Sequence, residues 1–231
     1  MPKRMRLSAS SIKLVGAASM ACDHIGMILL PGAAWLRYAG RLSMPLFAFM
    51  IAEGLRRTSD RVRYILRIAI LGLICQAAYT AVTGDWRYLN ILITYSVAAA
   101  LTLTAGKAME PGAGAKTVSV FLLTAAVSAA LLVFFDLSYG IWAVMIIAVS
   151  YFAQERIVRL AAVTLILAGY SAVCAADGHW LQFASLLAVP LMALYDGEKG
   201  LKLPRYFFYV FYPAHLALLW LIRFLIVSGG K

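Results

Sequence analysis

Long runs of apolar residues, separated by short polar segments, dominate the pattern of this sequence. The runs are ~15–22 residues long, which suits helices that cross a hydrocarbon core of ~30 Å. They are continuously apolar, whereas the strands of a membrane barrel would alternate apolar and polar residues. The pattern therefore predicts an all-α, polytopic transmembrane helical bundle of about nine spans (eight to ten), in a single integral membrane domain covering 1–231. The predicted spans are roughly 11–30, 42–56, 64–83, 88–105, 117–135, 139–153, 157–175, 180–195 and 206–227.

Composition and charge fit the same class of protein. The chain is 63% hydrophobic and 13% charged, about half the charge of an average soluble domain. If the N-terminus is cytoplasmic, the inside segments hold most of the 21 lysines and arginines, as the positive-inside rule requires. The net charge of +11 is then a topology signal, and we expect no nucleic-acid partner.

A set of polar side chains is predicted to lie between the middle and the outer face of the membrane. Asp23 and His24 are adjacent in the first span, although ionisable residues are costly inside a membrane and usually serve a function there. Because successive helical residues point ~100° apart, these two side chains should face different neighbours. The other members of this outer group are Arg41, Asn90, Asp136, Tyr139 and His215.

A second group is predicted near the inner face, where Glu53 and Arg67 flank the basic loop 56–63. Both groups also have structural interpretations. Asp23 could simply pair with Arg41, Glu53 could form an interface ion pair, and His215 could compensate for the carbonyl that Pro213 leaves without a helical partner. Together, however, the two groups suggest a path or a reaction chamber through the protein.

Common catalytic motifs are missing from the sequence. It contains no G-x-x-x-x-G-K-[ST] phosphate loop, no H-E-x-x-H and no cysteine–histidine zinc spacing. It also contains no G-x-S-x-G nucleophile elbow. We therefore expect no metal and no ATP-driven step.

Five stretches in order resemble the TraX family of conjugative-transfer membrane proteins: KLVGAASMACDHIGMILLP, LRYAGRLSMPLFAFMIAEGLRRT, YILRIAILGLICQ, DLSYGIWAV and YFFYVFYPAHLALLWLIR. The resemblance covers roughly 11–225 and is weakest between 95 and 130. It implies a multi-pass protein of the bacterial inner membrane that acetylates the N-terminus of conjugative pilin, with acetyl-CoA as the donor. The positions that it singles out are Asp23, His24, Arg41, Ser43, Pro45, Glu53, Arg67, Asp136, Gly140 and Tyr212-Pro213-x-His215.

This resemblance and the predicted depths lead to a hypothesis about mechanism. A pilin amine would attack an acyl donor whose pantetheine arm rises between the helices, and a histidine would act as general base; which histidine does so stays open. The predicted catalytic residues are His24, Asp23, His215, Arg41 and Asp136; those for the CoA phosphates are Arg56, Arg57, Arg63, Arg67 and Glu53; those for the acceptor are Asn90, Tyr139 and Tyr212. The expected partners are pilin and membrane lipid. The competing hypotheses are a non-enzymatic chaperone for pilin maturation and a small-solute transporter.

Overall fold

The computed structural model describes residues 6–204 and 207–229 of the chain. These residues are mostly helical and include only two short extended segments, so the predicted all-α class is confirmed. Each of the nine predicted segments contains a helix. The last predicted segment, 206–227, begins at a residue outside the described ranges. The elements are α1 (Ala9–Ile28), α2 (Ala34–Gly40), α3 (Ser43–Arg57), α4 (Arg61–Thr83), β1 (Tyr88–Leu89), α5 (Ile91–Ala108), α6 (Ala115–Phe134), β2 (Asp136–Leu137), α7 (Gly140–Phe152), α8 (Arg156–Ala176), a 3-10 helix (Trp180–Leu187), α9 (Ala188–Ala193) and α10 (Phe207–Gly229).

Within the described residues, five helices are long and apolar enough to cross a membrane. This finding supports the prediction of a membrane protein. The five candidate segments are Arg61–Ala81, Ile91–Ala108, Ala115–Phe134, Arg156–Ala176 and Phe207–Ile226. Two shorter apolar segments, Gly140–Phe152 and Trp180–Ala193, also lie within predicted spans.

Local signals in the sequence set several helix ends. The Ser8 hydroxyl caps α1 by accepting a hydrogen bond from Ser11 N, and the Asp60 carboxylate caps α4 through Arg63 N. The α4 helix is followed by Gly84 as its C-cap, whose φ of 76° is left-handed and therefore favours glycine. The side chain of Asn90 caps α5 by accepting from Leu92 N. Such side-chain oxygens satisfy backbone N–H groups that have no partner within the helix.

The chain divides into two compact units. The first contains the residues up to Met50 and from Leu160 onward, and the second contains Ile51–Arg159. In the first unit α1 packs against α2 and α10, and the segment before α1 pairs with the end of α9, since Leu7 N donates to Leu194 O and Asp196 N donates to Leu7 O. Its most buried large side chains are Ile12, Leu46, Phe49, Leu167, Met192 and Leu216.

The second unit is built around α5, which packs against α4, α6 and α7. Its most buried large side chains are Leu55, Tyr95, Ile146 and Ile147. Two short extended segments, β1 and β2, pair in parallel, with Tyr88 opposite Asp136 and Leu89 opposite Leu137.

The side-chain amide of Gln76 lies along the other edge of β1. Its Nε2 donates to Tyr88 O at 3.0 Å, and its Oε1 accepts from Asn90 N at 3.0 Å. The amide thus makes the two hydrogen bonds that a neighbouring strand would make.

Two details differ from the sequence prediction. The segment between the first two predicted spans contains a short helix, α2, where a loop was expected. The predicted span 180–195 consists of a 3-10 helix followed by α9 rather than one continuous α-helix. Both elements are too short to leave a clear helical period in the sequence.

Candidate functional site

The first unit brings together two histidines that are 191 positions apart in the sequence. His24 on α1 and His215 on α10 approach with 2.7 Å between His24 Nδ1 and His215 Nε2. Their rings are nearly parallel, with centroids 5.0 Å apart. Tyr212 lies edge-on to both rings and is buried. The predicted residues His24, His215 and Tyr212 therefore form one cluster.

A backbone carbonyl fixes the proton positions in this histidine pair. His215 Nδ1 lies 2.7 Å from Phe211 O. Because a carbonyl oxygen only accepts, His215 Nδ1 must carry hydrogen and donate. In the neutral pair, His215 Nε2 then accepts from His24 Nδ1, and the remaining lone pair is on His24 Nε2. Among the described residues, the structure shows no hydrogen bond to His24 Nε2, so this nitrogen is suited to accept a proton.

Asp23, the neighbour of His24, faces a different element. Its Oδ1 accepts from Arg41 Nη2 at 2.8 Å, and its Oδ2 lies 3.3 Å from Arg37 Nη1. Arg37 Nη1 also donates to the backbone carbonyl of Asp23 at 3.2 Å. The structure therefore shows the Asp23–Arg41 pair that was considered from the sequence, while His215 contacts His24. Arg37 was missed because it was counted only as a charge in a loop.

Two glycines allow α2 to approach α1 closely. A Cβ at Gly40 would collide with the side chain of Asp23 and lie 2.7 Å from its Cα, and a Cβ at Gly26 would lie 3.1 Å from Arg37 Cδ. The hydroxyl of Ser19 also donates to the carbonyls of Ala39 and Gly40 at the end of α2. This packing holds Arg37 of α2 and Arg41, the C-cap of α2, against Asp23.

A second carboxylate–arginine cluster lies in the second unit. Glu53 is buried and contacts Arg159 at 2.9 Å, Arg57 at 3.3 Å and Arg56 at 3.6 Å. Arg159, at the start of α8, was not predicted as a site residue. The sequence offered one signal, a basic residue at a helix start where the helix dipole favours acidic side chains.

The arginines predicted to bind CoA phosphates differ in how far they are engaged. Arg56 donates to the carbonyls of Tyr151 and Ala153 at the end of α7. A positively charged side chain is favourable at the C-terminus of a helix. Arg57 is half exposed, Arg63 is exposed and pairs with Asp60, and Arg67 is exposed. Arg57, Arg63 and Arg67 thus present charge at the surface of the unit, whereas Arg56 is largely used by the fold.

The remaining predicted residues are brought together in the second unit by β1 and β2. Asn90 is fully buried, and its amide bonds with Gly72 O, Gln76 Oε1 and Leu92 N. Asp136 begins β2 and is exposed, and Tyr139 follows with a left-handed φ of 59°. The roles of these residues stay predictions. The bond of Asn90 with Leu92 N caps α5, and its bonds with Gly72 and Gln76 join it to α4.

Within the described part of the chain, no three His, Cys, Asp or Glu side chains come together as a metal site would require. The chemistry available in the first unit is that of an imidazole base beside two guanidiniums. The chemistry available in the second unit is the binding of anions by exposed arginines.

Comparison with known proteins identifies the family. The family described as TraX protein matches residues 8–223. Protein TraX of Escherichia coli is 33% identical over 90% of this chain and 84% of its own length. A probable fimbrial assembly protein, FimC of serogroup H1 of Dichelobacter nodosus, is 27% identical over 95% of this chain and 97% of its own length. No solved structure matches the chain. A match over nearly the whole length, together with these relatives, shows that the chain belongs to the TraX family.

Proposed function

We propose that this protein is a membrane-embedded acyltransferase that acetylates the N-terminus of conjugative pilin in the bacterial inner membrane, with acetyl-CoA as the donor. The observation that carries the proposal is the His24–His215 pair, in which the hydrogen bond to Phe211 O leaves a lone pair on His24 Nε2. Membership of the TraX family supports pilin as the acceptor, and the name of the relative from Dichelobacter nodosus also refers to fibre assembly.

The proposed reaction is transfer of an acetyl group from a thioester to an amine. The amine nitrogen attacks the thioester carbonyl carbon, and His24 Nε2 takes the proton that the amine loses. When the carbonyl re-forms, the C–S bond breaks, and the thiolate leaves and receives this proton. His215 keeps the base in the correct tautomer and can share the positive charge through the 2.7 Å hydrogen bond. A general base of this kind contributes about 10²–10⁴-fold to the rate.

Within the second unit, the exposed arginines are the groups that we propose bind phosphates. Arg57, Arg63 and Arg67 are sufficiently exposed to meet a phosphate, and arginine forms charge-assisted, bidentate bonds with such groups. In this proposal Glu53 and Arg159 hold the arginine cluster together, because both are largely buried in their ion pair.

The test is intact-mass spectrometry of the cognate pilin from cells with the wild-type protein, without it, with His24→Gln or with His179→Gln. His179 is an exposed histidine in a loop and serves as the matched control. We expect the acetyl mass in the wild-type and His179→Gln cells only. An identical pilin mass in all four strains would rule out pilin acetylation.

A pilin-assembly chaperone is the second candidate, because a full-length relative is named as a probable fimbrial assembly protein. A chaperone would bind pilin and support its maturation equally well in the wild type and in the His24→Gln variant. Pilin co-purification and fibre yield from the His24→Gln strain therefore separate the two functions.

A further inference from the structure

Arg37 differs from its neighbour Arg41 in how its guanidinium is used. Arg41 donates from Nη2 to Asp23 Oδ1 and from Nε to Arg37 O, and its side chain is 14% exposed. Both described bonds of Arg37 come from a single nitrogen, Nη1, and its side chain is 26% exposed. Within the part of the chain that the structure describes, Arg37 Nη2 and Nε have no protein partner.

The position of Arg37 is set by α1 itself. Its Nη1 bonds the Asp23 carbonyl, which belongs to the peptide that joins Asp23 to His24. Its aliphatic stem passes over Gly26, where a Cβ would lie 3.1 Å from Arg37 Cδ. Two donors of a permanently charged fork are therefore held beside the residue that carries the proposed base.

We propose that Arg37 is a further catalytic residue, which stabilises the oxyanion of the acyl transfer; this inference rests on the proposed function. As the amine nitrogen bonds to the thioester carbon, the electron pair of the C=O bond moves to oxygen. Arg37 Nη2 and Nε donate hydrogen bonds to that oxyanion while His24 Nε2 takes the amine proton. The pair then returns to re-form C=O, the C–S bond breaks, and the thiolate leaves with the proton held by His24.

In this arrangement Asp23 is a positioning residue. It does not touch the reacting atoms but holds Arg37 through one oxygen and Arg41 through the other. A charge that is fixed in advance stabilises a developing oxyanion more than one that must reorganise, and removing such a donor costs about 10²–10³-fold in kcat.

The test measures kcat and KM with acetyl-CoA and a synthetic peptide that has the mature N-terminus of the cognate pilin. The protein is full-length and reconstituted in lipid nanodiscs, as wild type, Arg37→Gln, Arg37→Lys and His24→Gln. Arg87→Gln is the matched control, because Arg87 is an exposed arginine that donates to a single carbonyl, Phe134 O. The thermal unfolding midpoint of each variant is recorded in the same preparation.

We expect Arg37→Gln to lower kcat by about 10²–10³-fold, with KM for both substrates within about twofold and an unchanged unfolding midpoint. Arg37→Lys keeps a charge for Asp23 but lacks the fork, so it should fold and recover part of kcat. Arg87→Gln should match the wild type.

Other results overturn the inference. If Arg37→Gln keeps its kcat but raises KM for the peptide, Arg37 binds the acceptor instead. If kcat follows the lipid phosphate content of the nanodisc, Arg37 binds a headgroup. Loss of activity in His24→Gln but not in Arg37→Gln would remove this inference and leave the proposed function intact, whereas a wild type that transfers nothing would remove both.

Discussion

The two units each contain a carboxylate held by arginines, but the two clusters are built differently. Glu53 is buried against three arginines, and one of these, Arg56, also binds carbonyls at the end of α7. Asp23 is more exposed, contacts two arginines and is followed directly by His24. The Glu53 cluster joins helix ends, whereas the Asp23 cluster lies beside His24, a side chain that can move a proton.

This difference teaches that charge clustering alone does not mark a catalytic site in a membrane protein. Ion pairs among apolar helices serve packing when every charged group also bonds the backbone or another buried group. A catalytic role needs, in addition, a group that can accept a proton, and the described structure offers this at His24.

The largest expected effect is on the free energy of unfolding, which should fall more when the Glu53 cluster is broken than when the Asp23 cluster is broken. Glu53→Ala leaves three arginines without their carboxylate, and removal of one partner from a buried ion pair typically costs about 3–5 kcal/mol. We expect the free energy of unfolding in detergent to fall by this amount. Asp23→Ala should lose less stability, because Asp23 is more exposed, but should lose acetyl transfer.

Glu110→Ala, at an exposed acidic position, is the control for these two variants. If Asp23→Ala is destabilised as strongly as Glu53→Ala, the two clusters have the same structural role and do not differ in function.

A smaller effect tests the packing of α2 on α1. Gly40→Ala would place a Cβ 2.7 Å from Asp23 Cα, so α2 must shift and carry its arginines away from His24. A displacement of about 1 Å costs roughly 10²-fold in rate, which initial rates of acetyl transfer would measure. Gly32→Ala, where a Cβ meets nothing within 4 Å, should keep the wild-type rate, and equal rates for both variants would contradict this role of Gly40.

The smallest effect concerns an exposed arginine of the second unit. Arg63→Gln removes a surface ion pair with Asp60, worth only about 0–1 kcal/mol of stability. If Arg63 binds a donor phosphate, however, KM for acetyl-CoA should rise by roughly 10- to 100-fold at unchanged kcat, because a bond to a charged group contributes about 1.5–3 kcal/mol. Initial rates measured over a range of acetyl-CoA concentrations would give this KM for the wild type and for Arg63→Gln. An unchanged KM would exclude Arg63 from the donor site.

Most of the fold was predictable because hydrophobic runs determine membrane helices almost directly. The location of Asp23 and His24 on one helix with different neighbours followed from helical geometry alone. The approach of His24 to His215 did not, because 191 positions separate them and no local pattern encodes such a contact. The sequence could therefore name both histidines without showing that they bond to each other.

Arg37 and Arg159 were missed for a related reason. Basic residues near the ends of membrane helices are expected from topology, so the sequence does not distinguish an arginine that faces lipid headgroups from one that binds a carboxylate. The α2 helix that positions Arg37 has only seven residues, and its close approach depends on Gly26 and Gly40, whose role is visible only in three dimensions.

Gln76 has a consequence for how this protein behaves toward other chains. An open strand edge attracts further extended segments, and in lipid no water is present to satisfy its backbone groups. The amide of Gln76 occupies one edge of β1, so the small sheet stops growing on that side. One glutamine thus takes the two backbone bonds on this edge of β1 that an incoming extended segment would need.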